Sequence, residues 1–295
     1  MSLAQQAAAD SMPAHGTAGD DGGTNDNRDN RGNRDNRGKN DNRDNNVDAG
    51  GNDEEAEDQA AWRDMRAFHA GQLQDEARRL CGTDSGGAVP STCKVDIDEA
   101  HLPAGGDPEE LLTQTIAAAD KVPDESVDLV VAQVIDALAL QPVTLDPVGQ
   151  KNADANASGD ASAKTAVTDK TDLEAVRAML AGENAFAYGL DIALAHADAD
   201  LRERISALKK ASEQRVQALD RLVETEHPDW AVPAPGYEFS PGHAEPANSA
   251  EAAALVTALG DNVTEKWRHE AAHAQSSAWR EDAIRLAAHA LRKPE

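Results

Sequence analysis

Glu183 falls where an acidic residue is costly. Leu173, Val176, Leu180, Ala187, Leu190 and Leu194 recur at helical spacing, and Glu183 lies on the same stripe. A carboxylate on a buried helix face needs a partner. It can ligate a metal, neutralise a buried cation, or accept hydrogen bonds from hydroxyls. Di-metal carboxylate centres in four-helix bundles take a Glu from each of two helices and a Glu-x-x-His from each of the other two. One turn of spacing puts both ligands on one metal. The chain offers a single such pair, Glu270 and His273, continuing the stripe of Val263 and Trp267. Glu213 flanks its own stripe, on which Ser212 stands instead. Glu281 and His289 are eight residues apart, too far for one ion by local geometry. With 54 acidic residues and nine His, one Glu-x-x-His is expected by chance. The competing partners for Glu183 are Arg215, Arg268 and Ser212, so the residues point to no cofactor, with iron or manganese as the alternative.

Cys81 and Cys93 flank "GTDSGGAVPST", a Gly/Ser/Pro-rich loop flexible enough to close into a disulfide worth roughly 3 kcal/mol. Pairing implies an oxidising compartment; the alternative is two free thiols. Neither belongs to a C-x-x-C, which argues against zinc and thiol–disulfide catalysis. G-x-S-x-G and a phosphate-binding Gly loop are both missing. Asn156-Ala-Ser158 and Asn262-Val-Thr264 match the glycosylation pattern, the second inside a predicted helix, and both read as chance matches.

The elements that must position these residues are helices. Residues 1–53 form a tail whose "TNDNRDNRGNRDNRGKNDNRDNN" tract has no apolar residue and cannot offset the entropy of ordering. It reads as disordered, and it lacks the fixed Gly and terminal Glu of a calcium loop. Residues 54–141 read as an N-terminal helical region. Trp62, Met65, Phe68, Leu73, Ala77 and Leu80 mark a helix over 54–81. Asp107, Pro108 and Glu110 open a second. Val127, Val130, Val131, Val134, Ile135 and Leu138 mark a third, stopped by Pro142. Residues 142–170 are small and polar and read as a linker. Residues 171–295 then carry four helical segments. Thr171 with Glu174 forms a capping box for the first, which runs to about His196. Asp198 caps the second, which His227-Pro228 ends. A Pro/Gly-rich connection of roughly 20 residues follows, long for a compact domain. Asn248 with Glu251 caps the next helix, and the last starts near Ser277. The class is all-α, a four-helix bundle preceded by additional helices, and the long connection allows a crossover.

A net charge of −26 with 3% aromatics argues against nucleic acid and against an anionic membrane surface. No apolar segment approaches a membrane span. The opening Met1-Ser2-Leu3 is not a signal peptide and reads as a start placed after a removed segment.

"GENAFAYGLDIALAHAD", "LKKASEQRVQAL", "VPAPGYEFSPG" and "LVTALGDNVTEKWR" together resemble the actinobacterial ferritin-like domain of unknown function found on secreted lipoproteins, over residues 171–293. That resemblance implies a ferritin-like four-helix bundle at the cell envelope, outside the cytoplasm, held to the membrane only through a lipid anchor on a part not present in this chain. It implies no assigned activity. The family's Glu survives as Glu183. Its second-helix His is Ser212 here, and its Glu-Glu place on the third helix is Gly260-Asp261. The expectation is therefore a non-catalytic envelope bundle, structural or binding an envelope protein partner. The alternative is a ferritin-like metal-binding or oxidase domain using Glu183, Asp261, Glu270 and His273. A weaker third is a carrier of a small apolar ligand.

Overall fold

The computed structural model describes residues 51–93, 106–149, 167–223, 236–237 and 245–292. The tail before residue 51, Asn156 and most of the Pro/Gly-rich connection lie outside the described residues. Among the described residues there are seven α-helices and no strand: α1 (Gly51–Cys81), α2 (Pro108–Ala119), α3 (Asp124–Ala139), α4 (Lys170–Leu194), α5 (Ala199–Val223), α6 (Ser249–His273) and α7 (Ser277–Leu291). None is long and apolar enough to cross a membrane.

Most helix starts are set by side-chain caps that satisfy orphan backbone N–H groups. Asp107 accepts the Glu110 N–H at 2.8 Å ahead of Pro108. Asn248 and Glu251 close a reciprocal box, with Glu251 also accepting the Ala247 N–H at 2.9 Å. Ser276 accepts the Trp279 N–H. The cap of α4 is Asp169, not Thr171. Its carboxylate accepts from Thr171 and Asp172 N–H groups at 2.8 and 3.1 Å, and a full charge suits the positive end of the helix dipole.

The earlier start matters because it puts Asp172 inside the first turn, turned inward. Buried there, Asp172 accepts the Gln275 N–H at 2.7 Å, the Ser276 N–H at 2.9 Å and the Ser276 hydroxyl at 2.6 Å. The start of α4 is thus bolted to the α6–α7 turn. At the other end, Asp198 caps α5 through Leu201 N–H and takes the hydroxyl of Ser249, the first residue of α6. These two junctions make α4 and α6 antiparallel. The end of α5 meets Gly149 at Leu222, and Gly149 in turn bonds Asp282 near the start of α7, so α5 and α7 are antiparallel too.

The main neighbours around the bundle are α4–α5, α5–α7, α7–α6 and α6–α4. Val223 and Ser249 consequently stand at opposite ends. The chain between them must traverse the length of a 25-residue helix, about 37 Å at 1.5 Å per residue. That is the crossover the long connection allows. Of this connection, Tyr237 is described, with its ring 5.4 Å from that of Tyr188 on α4.

The helices that precede the bundle pack against it. α3 lies across α6 and α7, and α2 touches both α3 and α7. One hydrophobic cluster runs from Leu111 through Val134 and Leu180 to Ala288. Residues near both ends of the 142–170 segment belong to it: Val148 is fully buried, and Leu145 and Val167 nearly so. With α2 and α3 covering its outer side, α7 is buried almost all round, from Trp279 and Arg280 to Ala287 and Ala288. Small alanines let its neighbours approach, and its two buried arginines are answered from α2 and the adjoining loops. Arg285 makes a bidentate pair with Glu109 at 2.8 and 2.6 Å, and Arg280 pairs with Asp120 and the Ala274 carbonyl. α1 packs on α3, where Gln133 donates to the His69 carbonyl and Ser126 to Glu76. Cys81 and Cys93 are joined in a disulfide, with Cα atoms 6.1 Å apart, closing the loop after α1.

Replacing Asp172 by Ala strands two backbone N–H groups and a hydroxyl at the α6–α7 turn. It should cost about 2–3 kcal/mol in urea unfolding, and Asp172→Asn, which keeps one acceptor oxygen, should cost less.

Candidate functional site

Glu183 is fully buried in the middle of α4, and four donors converge on it. From α5, Arg215 presents its guanidinium edge-on: Nε donates to Oε1 at 2.7 Å and Nη2 to Oε2 at 2.9 Å. One turn earlier, the Ser212 hydroxyl donates to Oε2 at 2.6 Å. From α6, the Trp267 indole N–H donates to Oε1 at 2.7 Å. Arg215, Ser212 and Trp267 are themselves buried. Ser212 and Arg215 share a helix face because they are three residues apart, and Trp267 continues the Val256–Val263 stripe of α6.

The fourth helix closes the cluster from outside. Arg215 Nη1 lies 3.3 Å from His289 Nδ1 on α7. A guanidinium can only donate, so His289 Nδ1 accepts and its proton resides on Nε2. From there it donates to Gln214 Oε1 at 3.2 Å. Burial, then the neighbouring Arg215 charge, pushes the imidazole down to about 4, against a smaller upward pull from Glu183. His289 is accordingly neutral at physiological pH. Trp279 lies beside Trp267, ring centroids 6.4 Å apart and ring planes tilted by 52°.

An ionised carboxylate has about four lone-pair positions. Here all four are taken, and one partner is a permanent cation 2.7 Å away. No lone pair of Glu183 is left to a metal, and a divalent ion at this distance would face Arg215. The donor set does not fit iron or manganese. The other residues of the metal set are not gathered around it. Asp261 and His273 are exposed and Glu270 half-buried. His273 donates Nδ1–H to the His269 carbonyl at 2.9 Å and lies 3.8 Å from Asp128 of α3. Among the described residues, no three His, Cys, Asp or Glu side chains are placed to share an ion.

Of the partners expected for Glu183, Arg215 and Ser212 are there, whereas Arg268 pairs with Asp136 on α3. Trp267 was legible only as a core residue. Its signal is that a buried indole N–H needs an acceptor, and a carboxylate stands on the facing stripe. His289 was visible as a helix-borne His but belongs to the second layer around Arg215, not to an ion.

Residues 175–293, less than half of the chain, match the family model of a domain of unknown function (DUF4439). The chain matches no curated protein and no solved structure. The matched span opens within α4 and closes after α7, so it takes in every residue of the Glu183 cluster.

Truncating Glu183 to Ala leaves the Arg215 charge buried and unanswered and should cost about 3–5 kcal/mol in chemical denaturation. A second expectation concerns acid. His289 is held near 4 in the fold against an ordinary 6.5. Between those values the unfolded chain takes up a proton that the folded chain refuses, so stability contributed here falls as pH drops from about 6.5 to about 4. The stability difference between wild type and His289→Gln should therefore shrink across that window, read from urea midpoints at matched pH; a constant difference would refute it.

Proposed function

We propose that this chain is a non-catalytic, ferritin-like bundle protein of the cell envelope, acting as a structural element or as a platform for an envelope protein partner. The observation that carries this reading is the saturation of Glu183. Where a carboxylate-bridged bundle would need open ligand positions, this chain has an internal ion pair completed by a hydroxyl and an indole N–H. The single crossover between α5 and α6 supports the ferritin-like topology. The disulfide between Cys81 and Cys93 supports an oxidising, extracytoplasmic setting. The charge of −26 favours neither nucleic acid nor an anionic lipid surface as partner.

Metal analysis of protein purified after growth with iron and manganese tests this reading. Substoichiometric metal, unchanged in Glu183→Gln, is expected. Stoichiometric iron or manganese that disappears in Glu183→Gln would overturn it and restore the metal-binding or oxidase alternative.

A further inference from the structure

We propose that His269 and His273 form a two-histidine chelate on the outer face of α6 that binds a divalent transition ion, copper(II) most tightly. Residues 269–273 read His-Glu-Ala-Ala-His. Two histidines four residues apart share one helix face, the spacing with which zinc-binding helices present a ligand pair. Both side chains are exposed. Their rings already lie side by side, with centroids 4.1 Å apart and planes tilted by 30°. Two nitrogens bound to one ion at about 2.0–2.1 Å stand at most about 4.2 Å apart, so the two rings are within reach of a single ion.

The tautomer of His273 is set for binding. The His269 carbonyl can only accept, so His273 donates to it from Nδ1 at 2.9 Å, and the Nε2 lone pair is left for an ion. A ring N–H tied to a carbonyl in this way is the usual outer partner of a metal-bound histidine. Asp128 of α3 brings its carboxylate to 3.8 Å from the same Nδ1, which adds negative charge beside the ring. His273 is also the last residue of α6, where the partial negative charge of the helix end favours a cation.

Hydrolytic zinc helices of this pattern use the intervening Glu as a base and need a third protein ligand. Among the described residues no third His, Cys, Asp or Glu is placed to complete such a set. The site therefore holds an ion with water in the remaining positions and is not a hydrolytic centre. Imidazole suits copper, nickel and zinc, and copper(II) heads their order of affinity. The chelate is separate from the Glu183 cluster, because His269 and His273 lie on the opposite side of α6 from Trp267, which is buried against Glu183. An ion bound here leaves Glu183 saturated as before.

Addition of copper(II) to the full chain, purified without a His tag, tests this by calorimetry and electron paramagnetic resonance. The tightest ion should show coupling to two imidazole nitrogens, a count that reads the site without any variant. His269→Gln and His273→Gln should each weaken its binding at least about tenfold and leave one coupled nitrogen. Both side chains are exposed, so circular dichroism should be unchanged in the variants. His196→Gln, just after α4, should leave the affinity as it was. Unchanged affinity in either site variant, an equal loss in His196→Gln, or copper held without coupling to two nitrogens would overturn the proposal.

Discussion

Everything in the bundle is arranged around one charge that has been taken out of water. Burying a carboxylate costs several kcal/mol unless a cation and hydrogen bonds replace its hydration. Glu183 meets that demand by drawing groups from every neighbouring helix to a single level: Ser212 and Arg215 from α5, Trp267 from α6, and His289 of α7 against the far side of Arg215. An apolar stripe tolerates a slip of one helix along another. This cluster does not, because a shift of one turn would separate donors from acceptor and leave both buried. The ion pair is therefore a statement about register, and the alanine-rich helices around it supply little register information of their own.

The same logic repeats with smaller stakes at the ends. Asp172 ties the first turn of α4 to the α6–α7 turn with three hydrogen bonds, and Asp198 ties the starts of α5 and α6. Such charged junctions let a strongly acidic chain use carboxylates as joints instead of leaving them to repel one another on the surface.

Much of this was legible in the sequence where local chemistry decides. The caps at Asp107, Asp198 and Asn248 and the helix start near Ser277 are local, and so are the stripes that place Glu183 inward. What was not legible was set by tertiary contacts. Thr171 with Glu174 is a good box, yet Asp169 caps, because the start of α4 has to aim Asp172 at a turn a hundred residues away. Residues 142–149 read as a linker from their polarity. Leu145 and Val148 are too few and too irregularly spaced to announce burial, and only the groove between α5 and α7 gives them a place. Arg268 and Arg215 were equivalent as candidates for Glu183, and the position of α3, carrying Asp136, is what separates them.

The most direct test of the central ion pair is a double-mutant cycle on Glu183→Gln and Arg215→Met, read by equilibrium unfolding in urea. If the two charges exist in the fold to satisfy one another, each single variant is strongly destabilised and the double variant is no worse than the worse single, a coupling of about 2 kcal/mol or more. Losses that simply add would mean that Glu183 and Arg215 are held for separate reasons, and that their pairing does not set the register of the bundle.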